Sequence, residues 1–132
     1  MKIAVSSMGN SLDSQVDPRF GRCQVVLVVD TETLKVEPIS NMNVGAAHGA
    51  GVGAAQMVAL KGVKALLTGS VGPNAYSALE AAGIKVYTGV SGTILEAVNK
   101  FVKGELPQTA GPTVGGHYGM GGGRGGGQRG RR

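Results

Sequence analysis

From Val63 onward the chain alternates between runs that read as strands and runs that read as helices, and this alternation limits the folds open to it. Val63–Thr68 is an apolar strand, Pro73–Ala82 a helix stopped by Gly83, Ile84–Tyr87 a strand, and Thr93–Val102 a helix stopped by Gly104. Glycine just past an apolar-periodic segment is a helix C-terminal signal, because it takes the left-handed conformation that closes the last turn. A helix between two strands returns the chain to the end of the sheet from which it started, so the strands pair in parallel. The second half is therefore expected to be an α/β unit.

The first half has a different rhythm. Ile3–Val5 is a short apolar run ending in Ser6-Ser7-Met8-Gly9-Asn10, a strand feeding a loop that continues through Asp17-Pro18-Arg19-Phe20-Gly21-Arg22. Gln24–Asp30 (QVVLVVD) is rich in β-branched residues on both alternating faces, as in a strand covered on both sides. Thr31-Glu32-Thr33 connects it to Leu34–Ile39, where Leu34 and Val36 alternate with Lys35 and Glu37, and where Pro38 favours a sheet edge. Asn41–Gly53 shows no period; from Ala54 the residues Ala55, Met57, Val58, Ala59 and Leu60 make a helix with an apolar face, ended by Gly62. A hairpin joined to a βαβα unit predicts an α/β fold with one mixed five-stranded sheet and helices on its faces. The first strand must be central to serve both halves.

Nearly all apolar residues of the 132 fall before about Leu106, so residues 1–106 are expected to form one domain, with no room for a second. Residues 107–132 are expected to be a disordered Gly/Arg-rich tail. From Gly111 onward glycine is half of the residues, and no apolar cluster offsets the entropy of ordering them. Charge divides in the same way: the tail holds Arg124, Arg129, Arg131 and Arg132 and no acid, leaving nine Lys and Arg against eight Asp and Glu in the body. Most of the net charge of +5 thus belongs to the tail. A single cysteine, Cys23, excludes an internal disulfide framework and any zinc or iron–sulfur site held by several thiolates of this chain. The first apolar run is cut short by Asn10 and Asp13, too early for a signal peptide or a membrane span, so a cytoplasmic location is the default expectation.

Three loops, Ser6–Arg22, Asn41–Gly53 and Thr68–Asn74, with Gly89–Thr93 as a fourth, are expected at the carboxyl ends of strands, where open α/β sheets bind ligands. Gly49-Ala50-Gly51-Val52-Gly53 opens a helix whose exposed N–H groups and dipole favour an anion above it; close helix–sheet packing accounts for these glycines equally well. Thr68-Gly69-Ser70-Val71-Gly72-Pro73-Asn74 lies at a strand-to-helix junction, with Pro73 suited to the first helical position. It reads either as an anion cradle or as a plain connection. Neither cluster has the Lys-Ser/Thr ending of a phosphate-binding loop or a dinucleotide fingerprint, which disfavours a nucleotide. Arg19 and Arg22 place two guanidinium groups beside Cys23, and positive charge favours the thiolate that a metal or sulfur-rich cluster requires. The competing reading of Cys23 is a small buried hydrophobe at a strand start. His48 offers an imidazole nitrogen to a borderline metal, or is a solvated loop residue. No Ser/His/Asp series in a strand–turn–helix context and no repeated carboxylate spacing points to catalysis, so the chain reads as a binder and not an enzyme.

Taken in order, these stretches resemble the dinitrogenase iron-molybdenum cofactor biosynthesis family. The matching residues are Met1-Lys2-Ile3-Ala4-Val5 with Leu12-Asp13, Val16-Asp17-Pro18-Arg19-Phe20-Gly21-Arg22-Cys23, His48-Gly49-Ala50-Gly51, Leu67-Thr68-Gly69-Ser70-Val71-Gly72-Pro73-Asn74-Ala75, and Ala82-Gly83-Ile84-Lys85-Val86-Tyr87. The resemblance implies a ribonuclease H-like fold, and a role in holding or delivering iron–sulfur or molybdenum-containing clusters in cofactor biosynthesis or metal homeostasis. It does not imply nuclease activity. Some members of the family bind a mixed molybdenum–copper sulfide cluster, and others with cationic glycine-rich tails resemble iron–sulfur storage proteins, the picture this tail fits better. Residues and resemblance together mark Arg19, Arg22, Cys23, His48, Gly49, Gly51, Gly69, Ser70 and Gly72 as candidate cluster contacts, with Cys23 and His48 the candidate metal ligands. The partners implied are cluster donor or acceptor proteins and further copies of the chain. Metal–sulfide clusters are polyanions, which Arg residues spaced by Gly can wrap with little steric restriction. The same tail supports a separate expectation, RNA or acidic-surface binding by charge and guanidinium stacking.

Overall fold

The structure, a computed structural model, describes the backbone of residues 1–40 and 50–112 and the side chains of residues 1–40 and 53–112. Five strands, β1 (Lys2–Ser7), β2 (Val25–Asp30), β3 (Val36–Ser40), β4 (Ala65–Leu67) and β5 (Lys85–Tyr87), form one sheet in the order β3-β2-β1-β4-β5. Three helices, α1 (Ala50–Leu60), α2 (Pro73–Ala81) and α3 (Ile94–Val102), join it, with a 3-10 turn at Phe20–Arg22. The expected mixed sheet is present, and β1 is central: it pairs antiparallel with β2 and parallel with β4.

Successive side chains of a strand point to opposite faces, so an inner strand covered on both sides must be apolar at every position. Ile3–Val5 of β1 and Val26–Val29 of β2 meet that demand. Ala4, Val26, Val28, Leu66 and Val86 pack with Ala54, Ala55 and Val58 of α1 and with Ala75 and Leu79 of α2. Ile3, Val5, Leu27, Val29, Ala65 and Leu67 pack with Ile94, Ala97 and Val98 of α3. Each large aliphatic side chain so buried contributes roughly 1.5–3 kcal/mol of transfer free energy. On the α3 side Tyr87 and Phe101 add an edge-to-face contact with ring centroids 5.3 Å apart.

Both sheet edges are guarded. Asp30 N donates to Lys35 O at 3.0 Å, so this pair is hydrogen-bonded, and counting along the register puts Pro38 opposite Leu27 at a non-hydrogen-bonded position. The N–H that Pro38 lacks therefore falls on the outer side of β3, where it cannot template a further strand. At the other edge Thr109 N donates to Val86 O at 2.8 Å, Thr88 N donates to Thr109 Oγ1 at 2.9 Å, and the Tyr76 hydroxyl meets Thr109 O at 3.4 Å. Hydrogen bonding thus continues past Leu106, the boundary expected from composition.

Two of the boundaries that differ from expectation have a distinct physical cause. The strand expected from Leu34 begins at Val36, because Leu34 takes a left-handed conformation (φ 62°) and donates its N–H to Asp30 O at 2.8 Å, so the turn takes it in. The Asp30 carboxylate accepts from Glu32 N and Thr33 N inside that turn, and these bonds hold it below the usual carboxylate range. Helix α1 begins at Ala50, one turn before Ala54, so Gly51 and Gly53 are helical. A glycine in a helix interior costs roughly 0.8–1 kcal/mol relative to alanine, which the burial of Ala54, Ala55 and Val58 offsets. Among the described residues no helix is long and apolar enough to cross a membrane.

Candidate anion-binding site

β1 and β4 are parallel neighbours, yet the chain leaves β1 toward β2 on one side and leaves β4 toward β5 on the other. Such a divergence is a topological switch point, and a crevice forms there outside the carboxyl ends of the strands. The register puts β2's start and β3's end at this same edge, through Ser7 opposite Val25 and Val25 opposite Ser40. Loops 8–24, 68–72 and 88–93 therefore share one edge, and the chain enters residues 41–49 from it. All three helices begin there, since each leads away from that edge.

The loop after β1 is docked onto the loop after β4. Asp17 N donates to Ser6 O at 2.9 Å, and the Asp17 carboxylate accepts Arg19 N at 2.9 Å. Phe20 N donates to Ser70 O at 3.3 Å, and Ser70 Oγ donates to Pro18 O at 2.9 Å. Phe20 itself is buried between the sheet and α1. The approach is so close that a Cβ on Gly69 would stand 2.6 Å from Pro18 Cα and 2.7 Å from Pro18 O, which no residue but glycine tolerates. The third loop joins through Gly89 N to Gly69 O at 2.9 Å and Val90 N to Thr68 O at 3.1 Å.

Two groups at this edge suit an anion. Arg19 and Arg22 are exposed on the 3-10 segment, and among the described residues neither makes an ion pair. Helix α2 starts with Gly72 at its N-cap position and Pro73 next, with no side-chain cap; Tyr76 N is the first amide to find an acceptor, Gly72 O at 2.9 Å. Among the described residues nothing accepts from Asn74 N or Ala75 N, so these donors and the positive end of the helix dipole face outward. The first turn of α1 holds Gly51 in the equivalent place.

The structure brings Arg19, Gly69, Ser70 and Gly72 together, with Arg22 on the same 3-10 turn as Phe20. Cys23 is fully buried in the core under α1 and α2, and its Sγ donates to Phe20 O at 3.0 Å, the arrangement of a small core residue. His48 and Gly49 lie outside the described residues. Among the described residues no group of three or more His, Cys, Asp or Glu gathers to hold a metal ion. Among the described residues the donors at this edge are amides and guanidinium groups, which engage an anion through its outer atoms. Sequence reasoning did not single out Ser6 or Thr68, both fully buried, whose hydroxyls lie 2.8 Å apart beneath the docked loops. The available signal was a hydroxyl residue at the carboxyl end of each of two adjacent apolar strands.

A mixed sheet with three loops docked at a switch point, the start of α2 uncapped and Arg19 and Arg22 exposed there, defines a small α/β protein with an open loop edge at one end of its sheet. The chain belongs to the dinitrogenase iron-molybdenum cofactor family, whose model matches residues 1–104. It is similar to the orange protein of Desulfovibrio gigas in its apo form, with 47% identity, 85% of this chain and 95% of that one covered, and a TM-score of 0.83. A Thermotoga protein described as a candidate NifB protein is 39% identical over 81% of this chain and 91% of its own, with a TM-score of 0.71. An uncharacterised protein of Methanocaldococcus jannaschii is 35% identical over 109 residues, which cover 80% of this chain and 89% of the relative.

Proposed function

We propose that this protein binds and carries, or stores, an anionic metal–sulfur cluster, iron–sulfur or molybdenum-containing, as cargo in cofactor biosynthesis or metal homeostasis, without catalysing a reaction. The observation that carries this reading is the open N-terminus of α2 at the switch point, docked beside the exposed Arg19, with the exposed Arg22 on the 3-10 turn that follows. A sulfide-bridged cluster presents acceptor atoms and negative charge, and it meets amide donors from Gly72 to Ala75 and two guanidinium groups. Gly69 and Ser70 shape the cradle. Gly49 and Gly51 belong to this reading as further candidate amide donors. His48 is the candidate direct ligand of the metal, and the burial of Cys23 supports a packing role over ligation. Cluster donor and acceptor proteins, further copies of the chain, a cytoplasmic setting and the ribonuclease H-like classification belong to this same reading.

The test is reconstitution under anaerobic conditions with iron and sulfide, and separately with copper and tetrathiomolybdate. The expected result is a visible-absorbing chromophore that stays with the protein through gel filtration; protein that emerges colourless from both sinks the reading.

One observation favours a second activity. Thr109 is fastened at the carboxyl end of β5, and residues 113–132, which lie outside the described residues, contain four arginines and no acid. This supports nucleic-acid or acidic-surface binding through the tail. Truncation after Pro112 separates the two, since retention on single-stranded RNA at low salt should vanish while chromophore binding by the loops survives.

A further inference from the structure

Ser6 and Thr68 end aliphatic strands, are fully buried, and sit side by side at the switch point between β1 and β4. A hydroxyl pair sealed from water contributes only about 0.5–1.5 kcal/mol net through its hydrogen bond, no more than methyl groups packed in the same volume would contribute. Stability alone does not call for hydroxyls here, and the bonds they make lead toward the loop edge. Ser6 Oγ donates to Asp17 O at 2.6 Å and lies 2.8 Å from Thr68 Oγ1. Each hydroxyl has one proton. With the Ser6 proton on Asp17 O, the proton of the 2.8 Å contact comes from Thr68, and the 3.5 Å approach of Thr68 Oγ1 to Ser70 O goes without one.

The order is therefore Thr68 to Ser6 to Asp17. Asp17 is held at both ends of its backbone, by Ser6 O on its N–H and by Ser6 Oγ on its carbonyl. Its carboxylate in turn fixes Arg19 N. We propose that Ser6 and Thr68 are positioning residues of the anion site: they transmit the β1–β4 spacing to the Asp17–Phe20 segment, and through it orient Arg19 and Arg22. The pair touches no ligand. The proposal rests on the reading of this edge as the cluster site.

Removing one partner of a buried hydrogen bond strands the other, whereas replacing both by apolar groups of similar shape is nearly neutral for stability. The double variant Ser6→Ala/Thr68→Val strands neither hydroxyl but leaves the part-buried Asp17 O without its donor, so it is expected to fold and to melt several degrees below the wild type. In equilibrium titrations of the full chain it should bind tetrathiomolybdate about tenfold more weakly, the effect of misplacing one charge-assisted contact. Thr68→Ser keeps the hydroxyl and should bind as the wild type does. A double variant that binds undiminished overturns the positioning role, and so does one that fails to fold, since the pair would then be holding the fold itself. Thr68→Ser binding no better than Thr68→Val overturns it independently. A wild-type chain that takes up no tetrathiomolybdate fails at the earlier step, and defeats the site reading on which this proposal stands.

Discussion

Helices α2 and α3 both begin at the loop edge of the sheet, one after β4 and one after β5, yet their first turns are finished in opposite ways. At α3 every leading amide has an acceptor: Ile94 N on Ser14 O at 2.8 Å, Leu95 N on Leu12 O at 3.0 Å, Glu96 N on Thr93 Oγ1 at 3.1 Å and Ala97 N on Thr93 O at 3.0 Å. Glu96 returns a bond from its carboxylate to Thr93 N at 2.8 Å, completing a capping box. At α2 the cap is a glycine, the first helical residue is a proline, and the two amides that follow find no acceptor among the described residues. The loop after β1 accounts for the contrast. Its first part, Leu12–Val16, seals α3, and its second part, Asp17–Phe20, docks beside α2 without covering that helix's leading amides. One terminus is closed by its own cap, and the other is left open.

The most severe way to break this contrast is to push the loops apart on the α2 side alone. Gly69→Ala drives a methyl group into the Pro18 backbone, where neither neighbour can move without shifting its loop. We expect a loss of about 1–3 kcal/mol in unfolding free energy, the usual cost of overpacking, read from denaturant melts. Tetrathiomolybdate binding should fall with it, because the start of α2 moves relative to Arg19. A variant that is destabilised but binds normally would detach the ligand from this terminus.

A gentler variant sharpens the comparison by making α2 resemble α3. Gly72 has φ −80° and ψ 172°, extended values that any N-cap residue adopts, so Gly72→Asp can cap the helix without strain. Its carboxylate should improve thermal stability by a few tenths of a kcal/mol while occupying the amides an anion needs, weakening tetrathiomolybdate binding about tenfold. Stability and affinity moving in opposite directions is the expected signature. If both rise, the open terminus is merely an imperfect helix end.

The architecture was legible because it rests on periodicity. β2 read as a strand covered on both faces, β1 had to be central to serve both halves, the alternation after Val63 dictated parallel crossovers, and Pro38 marked an edge. What escaped was set by tertiary contacts. Leu34 lies in the left-handed region because the Asp30 turn draws it there, and nothing in a leucine announces that. The start of α1 was placed one turn late because Gly51 and Gly53 are poor helix formers in isolation, while the packing of the next turn carries them. At the candidate site, Arg19, Gly69, Ser70 and Gly72 were legible as loop residues at the carboxyl ends of strands. That Gly69 is required by Pro18, and that Ser6 and Thr68 support the docked segment, depends on contacts 51 and 62 residues apart in sequence. Cys23 was left between two readings because an adjacent pair of arginines says nothing about which way the thiol points.

On the α3 side, the comparison predicts that damage to the cap affects stability and spares binding. Thr93→Ala removes the acceptor of Glu96 N and should cost about 1 kcal/mol, the ordinary value of an N-cap hydroxyl, seen as a lower melting temperature with unchanged tetrathiomolybdate affinity. A loss of affinity would mean that the two termini are coupled through Leu12–Asp17, and the division between them would fail.

The smallest effect is a titration. The Glu96 carboxyl is held below its ordinary value of 4.5, first by the Thr93 backbone N–H and then by the Thr93 side chain, with Lys100 assisting. A carboxyl whose folded value is depressed contributes stability that is complete above the unfolded value and is lost as pH falls through the folded one. Between pH 7 and about 4.5 the cap should therefore hold at full strength, and below 4.5 it should weaken as the unfolded chain takes up the proton first. Asp30 and Glu37 are depressed in the same sense, Asp30 by the Glu32 and Thr33 amides and Glu37 by Lys61, so acid destabilisation of the wild type alone does not isolate Glu96. The difference between wild type and Glu96→Gln does, because the other two groups are common to both. That difference in melting temperature should be constant at neutral pH and shrink toward zero below 4.5; a gap that persists into acid would show that Glu96 acts by shape and not by charge.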